Sequence, residues 1–162
     1  MGLLRSITGI GIAQMYLTNY DTASMQYHKA LAISKERGHK TAEGLILNNL
    51  GRLHKRKGEF ARASRYINES NKILLETGKI NSYIRGKSLL SEIQFDLGNY
   101  EKSLEMADSA LSISQTLKDY QNIVRVFTNI AKTHAALGNK ALADKLYLEA
   151  IAVGDSFGIK AN

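Results

Sequence analysis

Residues 44–78, GLILNNLGRLHKRKGEFARASRYINESNKILLETG, decide how the chain folds. The stretch holds two helical patterns broken at Lys57-Gly58-Glu59, and it closes on Gly78. In its first half Leu47, Leu50, Gly51, Leu53 and His54 follow the i, i+3, i+4, i+7 spacing of a helix with one buried face. A step of 40 positions turns Gly58 into Gly98, and a second step reaches Gly138. Phe60 likewise corresponds to Tyr100 ahead and to Tyr20 behind. A fixed period of this size marks a repeat array and outranks any local reading.

The period divides the chain into units at about 4–43, 44–83, 84–123 and 124–162, read as a single array that is itself a piece of a longer one. Small residues recur at Ala23, Ala63, Ser103 and Ala143, and again at Ala30, Ser70, Ala110 and Ala150. Aliphatic Ile33, Ile73, Ile113 and Val153 follow them, and the pairs Ile10-Gly11, Leu50-Gly51, Leu90-Ser91 and Ile130-Ala131 recur in the first helices. Small side chains let helix axes approach to about 8–10 Å while aliphatic ones fill the space between. Glycine just past a helical run ends the helix in the left-handed conformation at low cost. Asn99 and Asn139, next to such glycines, are expected to cap the helix that follows. The spacing predicts eight helices, near 4–17, 20–36, 42–57, 60–76, 82–97, 100–117, 122–137 and 140–157, and no stretch alternates like a strand.

The 162 residues are 44% hydrophobic and 23% charged, an ordinary globular balance. Absence of cysteine excludes disulfides, thiolate metal sites and a cysteine nucleophile, and fits a reducing, cytoplasmic setting. No apolar run approaches the roughly 18 residues of a membrane-spanning helix. The leader-like start MGLLRSITGIGIAQMYL is interrupted by Ser6, Thr8 and Gln14, and its match to a myristoylation pattern at Gly2 and Ser6 is equally a first helix. The net charge of +7 favours acidic partners. Nucleic acid is the competing class, but the basic residues are not interleaved with aromatics for base stacking.

The pattern Leu47, Leu50-Gly51, Gly58, Phe60, Ala63 is similar to the tetratricopeptide repeat, and the similarity covers essentially the whole chain. The unit of 40 residues resembles the long-repeat branch of spindle polarity adaptors, kinesin light chains and bacterial peptide-pheromone regulators. Thr18 in place of the turn glycine, Lys140 in place of the aromatic and Lys87 at an apolar position depart from the pattern. The resemblance implies an all-α, right-handed α-solenoid of four helix-turn-helix units; the sequence itself has no glycine-lysine phosphate loop, no G-x-S-x-G and no carboxylate pair with a common purpose, so neither catalysis nor a cofactor is expected. It also implies that the first helix of each unit lines a concave groove.

At the groove columns this sequence reads Arg5, Leu45, Arg85 and Arg125, then Thr8, Asn48, Ser88 and Thr128. The next columns read Gly9, Asn49, Leu89 and Asn129, then Ile12, Arg52, Glu92 and Lys132. Asn offers a donor and an acceptor to a peptide backbone, and Arg forks onto carboxylates. Arg5, Asn48, Asn49, Arg52, Arg85, Arg125, Asn129 and Lys132 are therefore the expected site for a partner peptide with acidic or C-terminal carboxylate groups. The competing reading is a solvated face, where such residues are common; the cluster Arg52, Lys55, Arg56, Lys57 also suits a helix C-terminus. A sensory or regulatory segment of a bacterial signalling or transcription-regulating protein is the alternative function.

His54 and His134, two units apart, read as packing residues rather than as ligands to one metal. Gly9-Ile10-Gly11 lacks the preceding strand and third glycine of a dinucleotide loop. Glu101, Glu105 and Asp108 read as a solvated helix side. The last helix is apolar over a wide arc (Leu142, Leu146, Tyr147, Leu148, Ile151, Val153), which suggests cover on two sides, including self-association through that helix.

Overall fold

The computed structural model describes residues 2–158, and these form eight helices and no strand. The fold is all-α. The elements are α1 (Gly2–Tyr16), α2 (Tyr20–Glu36), α3 (Lys40–Arg56), α4 (Phe60–Glu76), α5 (Ile80–Asp96), α6 (Tyr100–Thr116), α7 (Tyr120–Ala136) and α8 (Lys140–Ser156). Residues 159–162, expected to end the fourth unit, lie outside the described residues.

The expected boundaries need one correction. Helices α3, α5 and α7 begin at 40, 80 and 120, two residues before the apolar pattern suggests. The cause lies in the connections. A turn within a unit and a link between units are the same structure, so a helix starts every 20 residues. In each connection from α1 to α8 two backbone bonds close a Schellman motif. After α3, Gly58 N–H donates to Lys55 O at 3.0 Å and Glu59 N–H donates to His54 O at 2.9 Å.

Gly58 takes φ of +74° at the pivot of this motif. Thr18 and Lys118 occupy the same pivot with φ of +62° and +51°, so the two departures from glycine keep the turn and carry strain.

The capping expected of Asn99 and Asn139 is also corrected: neither side chain caps its helix. Each turns back instead, Asn99 Nδ2–H donating to Gln94 Oε1 at 3.0 Å and Asn139 Nδ2–H to His134 Nδ1 at 3.3 Å. Asn19 does the same to Gln14 at 2.8 Å. In the Schellman geometry the paired residues are the two whose backbones already bond, so their side chains sit together. Asp119 is a true cap, accepting from Asn122 N–H at 3.2 Å.

The chain divides into two compact units, residues 1–86 and 87–162. In the first, Leu4, Ile7 and Met15 of α1 pack with Ala23, Tyr27 and Ala30 of α2 and with Ile46, Leu50 and Leu53 of α3. The repeating small residues act as expected. A Cβ at Gly11 would stand 2.7 Å from the Tyr27 ring, so glycine there is what admits the tyrosine. Burial pushes the Tyr27 hydroxyl up to about 12.

In the second unit Ile93, Ala107, Ala110, Val126, Ile130 and Ala131 are buried. There Ser91 replaces the close-packing glycine and Ser103 the alanine. Each hydroxyl donates to the other's carbonyl oxygen, at 2.8 and 2.9 Å, so the pair is satisfied in the apolar interior. The helix-opening aromatics Tyr20, Phe60 and Tyr100 are half-buried. Glu101, Glu105 and Asp108 are exposed, as a solvated face requires. On α8, Leu142, Leu148 and Ile151 are exposed, while Leu146, Tyr147 and Val153 are half-buried.

Candidate functional site

In the first unit α1 and α3 border an apolar cleft of about 520 Å³. Arg5, Thr8 and Ile12 line it from α1, and Ala42, Leu45 and Ile46 line it from α3. Helical spacing explains the gathering: Arg5, Thr8 and Ile12 are three and four residues apart and share one face. Arg5 is exposed among otherwise mostly apolar lining residues. The sequence reading singled out Arg5 but not the apolar floor. Its signal was present at the same columns, where Leu45 and Ile12 stand in place of basic residues.

Further along α3, Asn48, Asn49 and Arg52 are half-buried. The Nδ2 group of Asn48 is buried and lacks an acceptor among the described residues. A donor in that condition costs about 1–3 kcal/mol and is uncommon in native interiors. Arg52 lies within electrostatic reach of Tyr27, where it opposes the effect of burial. Arg56, one turn on, places its guanidinium 5.3 Å from the Tyr16 ring. Arg85, on α5, is exposed, with Nη2–H donating to Ser82 Oγ at 3.0 Å.

The remaining three predicted residues belong to the second unit. Arg125 is exposed on α7. Asn129 Nδ2–H donates to Ser88 Oγ at 2.9 Å, with Ser88 O at 3.4 Å and Glu92 Oε1 at 3.5 Å. Lys132 Nζ lies 4.0 Å from the Phe95 ring centroid. The donors of Asn129 and the charge of Lys132 are thus engaged within their own unit.

Sequence reasoning did not find a second, polar cleft in the first unit. It measures about 570 Å³ and lies between α2 and α4 beside the end of α3, with His54, Lys57, Arg62 and Arg65 among its lining residues. His54 is buried and stacks on Tyr66 at 5.1 Å, the packing role read for it. No group of three metal-ligating side chains occurs among the described residues, and none of their helices is long and apolar enough to cross a membrane.

A tetratricopeptide-repeat family profile matches residues 3–76 and 84–155. No curated protein sequence matches the chain. Among solved structures, BtubC (BKLC) from P. vanneervenii is similar at a TM-score of 0.80 and 20% identity, over 99% of this chain and 66% of that one. The Rap conjugation gene regulator of the plasmid pLS20, solved in complex with the Phr* peptide, matches at 0.82 and 16% identity, over 90% and 41%. The repeats of a putative kinesin light chain from Podosopora anserina match at 0.72 and 16% identity, over 97% and 77%. This chain therefore spans just under two thirds of the first structure and less than half of the Rap regulator.

Proposed function

The chain belongs to the tetratricopeptide-repeat family, and from that premise we propose that it is a protein-interaction module that holds an extended peptide segment along α1 and α3. The observation that carries this reading is the unmatched donor of Asn48 beside half-buried Asn49 and Arg52, next to an apolar cleft bordered by Arg5. An extended segment supplies what such a surface lacks: backbone acceptors for the amides, an apolar side chain for the cleft, and a carboxylate for a guanidinium. The peptide bound to the pLS20 Rap regulator supports a ligand of this kind. Arg85 of the first unit and Arg125, Asn129 and Lys132 of the second remain candidate contacts in this proposal, with the last two engaged internally before a ligand arrives.

No catalytic role and no cofactor form part of this reading. Partners with acidic or C-terminal carboxylate groups, a cytoplasmic location and self-association through the exposed leucines of α8 belong to the same proposal. A regulatory segment of a longer protein is the second reading, favoured by the similarity to a conjugation gene regulator that is more than twice as long. Affinity capture from the native lysate, followed by peptide mapping of what is retained, identifies the ligand. Its affinity is expected to weaken with salt, since exposed charge pairs are screened. Asn49→Ala and Arg125→Ala are each expected to reduce affinity without unfolding the chain. Intact binding by both variants overturns the groove assignment.

A further inference from the structure

The second cleft of the first unit has a chemistry unlike that of the α1–α3 surface and shares no residue with it. We propose that this cleft, between α2 and α4 beside the end of α3, is a binding site for a phosphate monoester.

The structure already holds one oxyanion at the rim of the cleft. The carboxylate of Glu59 receives Nδ1–H of His54 at 2.7 Å and Nη1–H of Arg62 at 3.3 Å, with Lys57 Nζ at 3.6 Å. These three groups hold its carboxyl below the ordinary glutamate range, the His54 hydrogen bond contributing most. Lys57 also approaches Asp21 at 3.5 Å, and the acidic wall residue Glu69 approaches Lys35 at 3.9 Å. Arg65 remains. It lines the same cleft one turn from Arg62, and it has no acidic partner among the described residues. A guanidinium beside a second guanidinium and an ammonium suits a dianion with several acceptor oxygens better than one more carboxylate.

The opposite wall is polar and fixed. His28 Nδ1–H donates to Ser24 O at 2.9 Å, and its Nε2 meets the Tyr66 hydroxyl at 3.3 Å. Tyr66 is held from its other side by the stack on His54. The cleft is therefore a preformed polar hollow with an internal carboxylate competing for two of its cations. That arrangement makes a directional prediction: removing the charge of Glu59 frees Lys57 and Arg62 and strengthens anion binding.

The test is a titration of the isotope-labelled 162-residue chain with O-phosphoserine, followed by NMR, against sodium chloride at matched ionic strength. Saturable shifts centred on His28, Arg62, Arg65 and Tyr66 are expected. Arg65→Gln should weaken binding about tenfold, the scale of one charge-assisted hydrogen bond, and Glu59→Gln should tighten it by about threefold or more. A phosphoserine peptide binding more tightly than the free ester assigns the source to a modified protein, and equal affinity assigns it to a small molecule. The proposal is overturned by no saturation beyond the chloride control, by equal affinity for acetate, or by wild-type affinity in Arg65→Gln. Should Glu59→Gln lower the melting temperature, the wild-type and Arg65→Gln titrations decide alone.

Discussion

Helices α3 and α7 carry nearly the same residues at the groove columns, Asn49 and Arg52 in one, Asn129 and Lys132 in the other, yet the two surfaces differ. In α7 the amide is bound by Ser88 and Glu92 of α5, and the lysine lies over Phe95 of the same helix. At the columns of α1 that correspond to Ser88 and Glu92 stand Thr8 and Ile12, and among the described residues no side-chain bond to Asn49 replaces that pairing. Identity at a column therefore does not determine availability. The residues one repeat earlier do, because they decide whether an amide finds an acceptor within the fold or keeps its capacity for a ligand.

The largest effect expected from breaking this contrast lies in packing. A Cβ at Gly51 of α3 would overlap Ile67 and stand 3.3 Å from Ala63 O. Gly51→Ala is expected to cost about 1–3 kcal/mol in denaturant unfolding. The matching position in α7 is Ala131, already buried with its methyl group, so Ala131→Gly should cost only about 1 kcal/mol. Equal losses at the two sites would mean that the helix pairs are packed alike.

A smaller effect sharpens the contrast directly. Asn129→Ala removes a formed hydrogen bond and should lower stability by about 1 kcal/mol. Asn49→Ala should leave the melting temperature within a degree or so while lowering peptide affinity. Installing the α5 pair on α1, as Thr8→Ser with Ile12→Glu, should capture Asn49 and weaken peptide binding; unchanged affinity would show that Asn49 does not serve the ligand.

Relief of the left-handed strain comes next. Thr18→Gly and Lys118→Gly should each raise stability by about 0.5–1 kcal/mol, the cost of a side chain at positive φ less the added chain entropy of glycine. The effect should be larger for the β-branched Thr18.

The smallest departures appear with pH, and they concern the first unit. The raised value of Tyr27 means that the unfolded chain releases this proton first, so its contribution to stability is present below pH 10 and declines between 10 and about 12. Spectrophotometric titration should show one of the eight tyrosines ionising late. Glu59 has the opposite sign. Its lowered value stabilises the fold above the ordinary glutamate range, and that contribution is lost as pH falls through its folded value. Thermal melts from pH 6 down to 3 should lose less stability in Glu59→Gln than in wild type.

Much of the fold was legible in the chain because the columns Gly11/Gly51, Ala23/Ala63 and Gly58/Gly98/Gly138 each answer one local requirement of a helix pair or its turn. The helix starts at 40, 80 and 120 were not, because a polar pair, Lys40-Thr41, Asn81-Ser82 or Gln121-Asn122, stands ahead of the apolar period that follows. Asn99 and Asn139 were misread because a residue at that position serves two helices, and the Schellman closure favours the earlier one. For the candidate site, the sequence singled out columns but could not read their state. The pairing of Asn129 spans 41 residues, and the α2–α4 cleft joins three helices, so neither leaves a periodic trace in any one helix.

The most direct test compares peptide affinity across the two helices, using the segment recovered by affinity capture. Asn49→Ala with Arg52→Ala should weaken binding at least tenfold, while Asn129→Ala with Lys132→Ala should weaken it less than threefold. Equal losses from the two double variants, or a greater loss from the α7 pair, would contradict that difference.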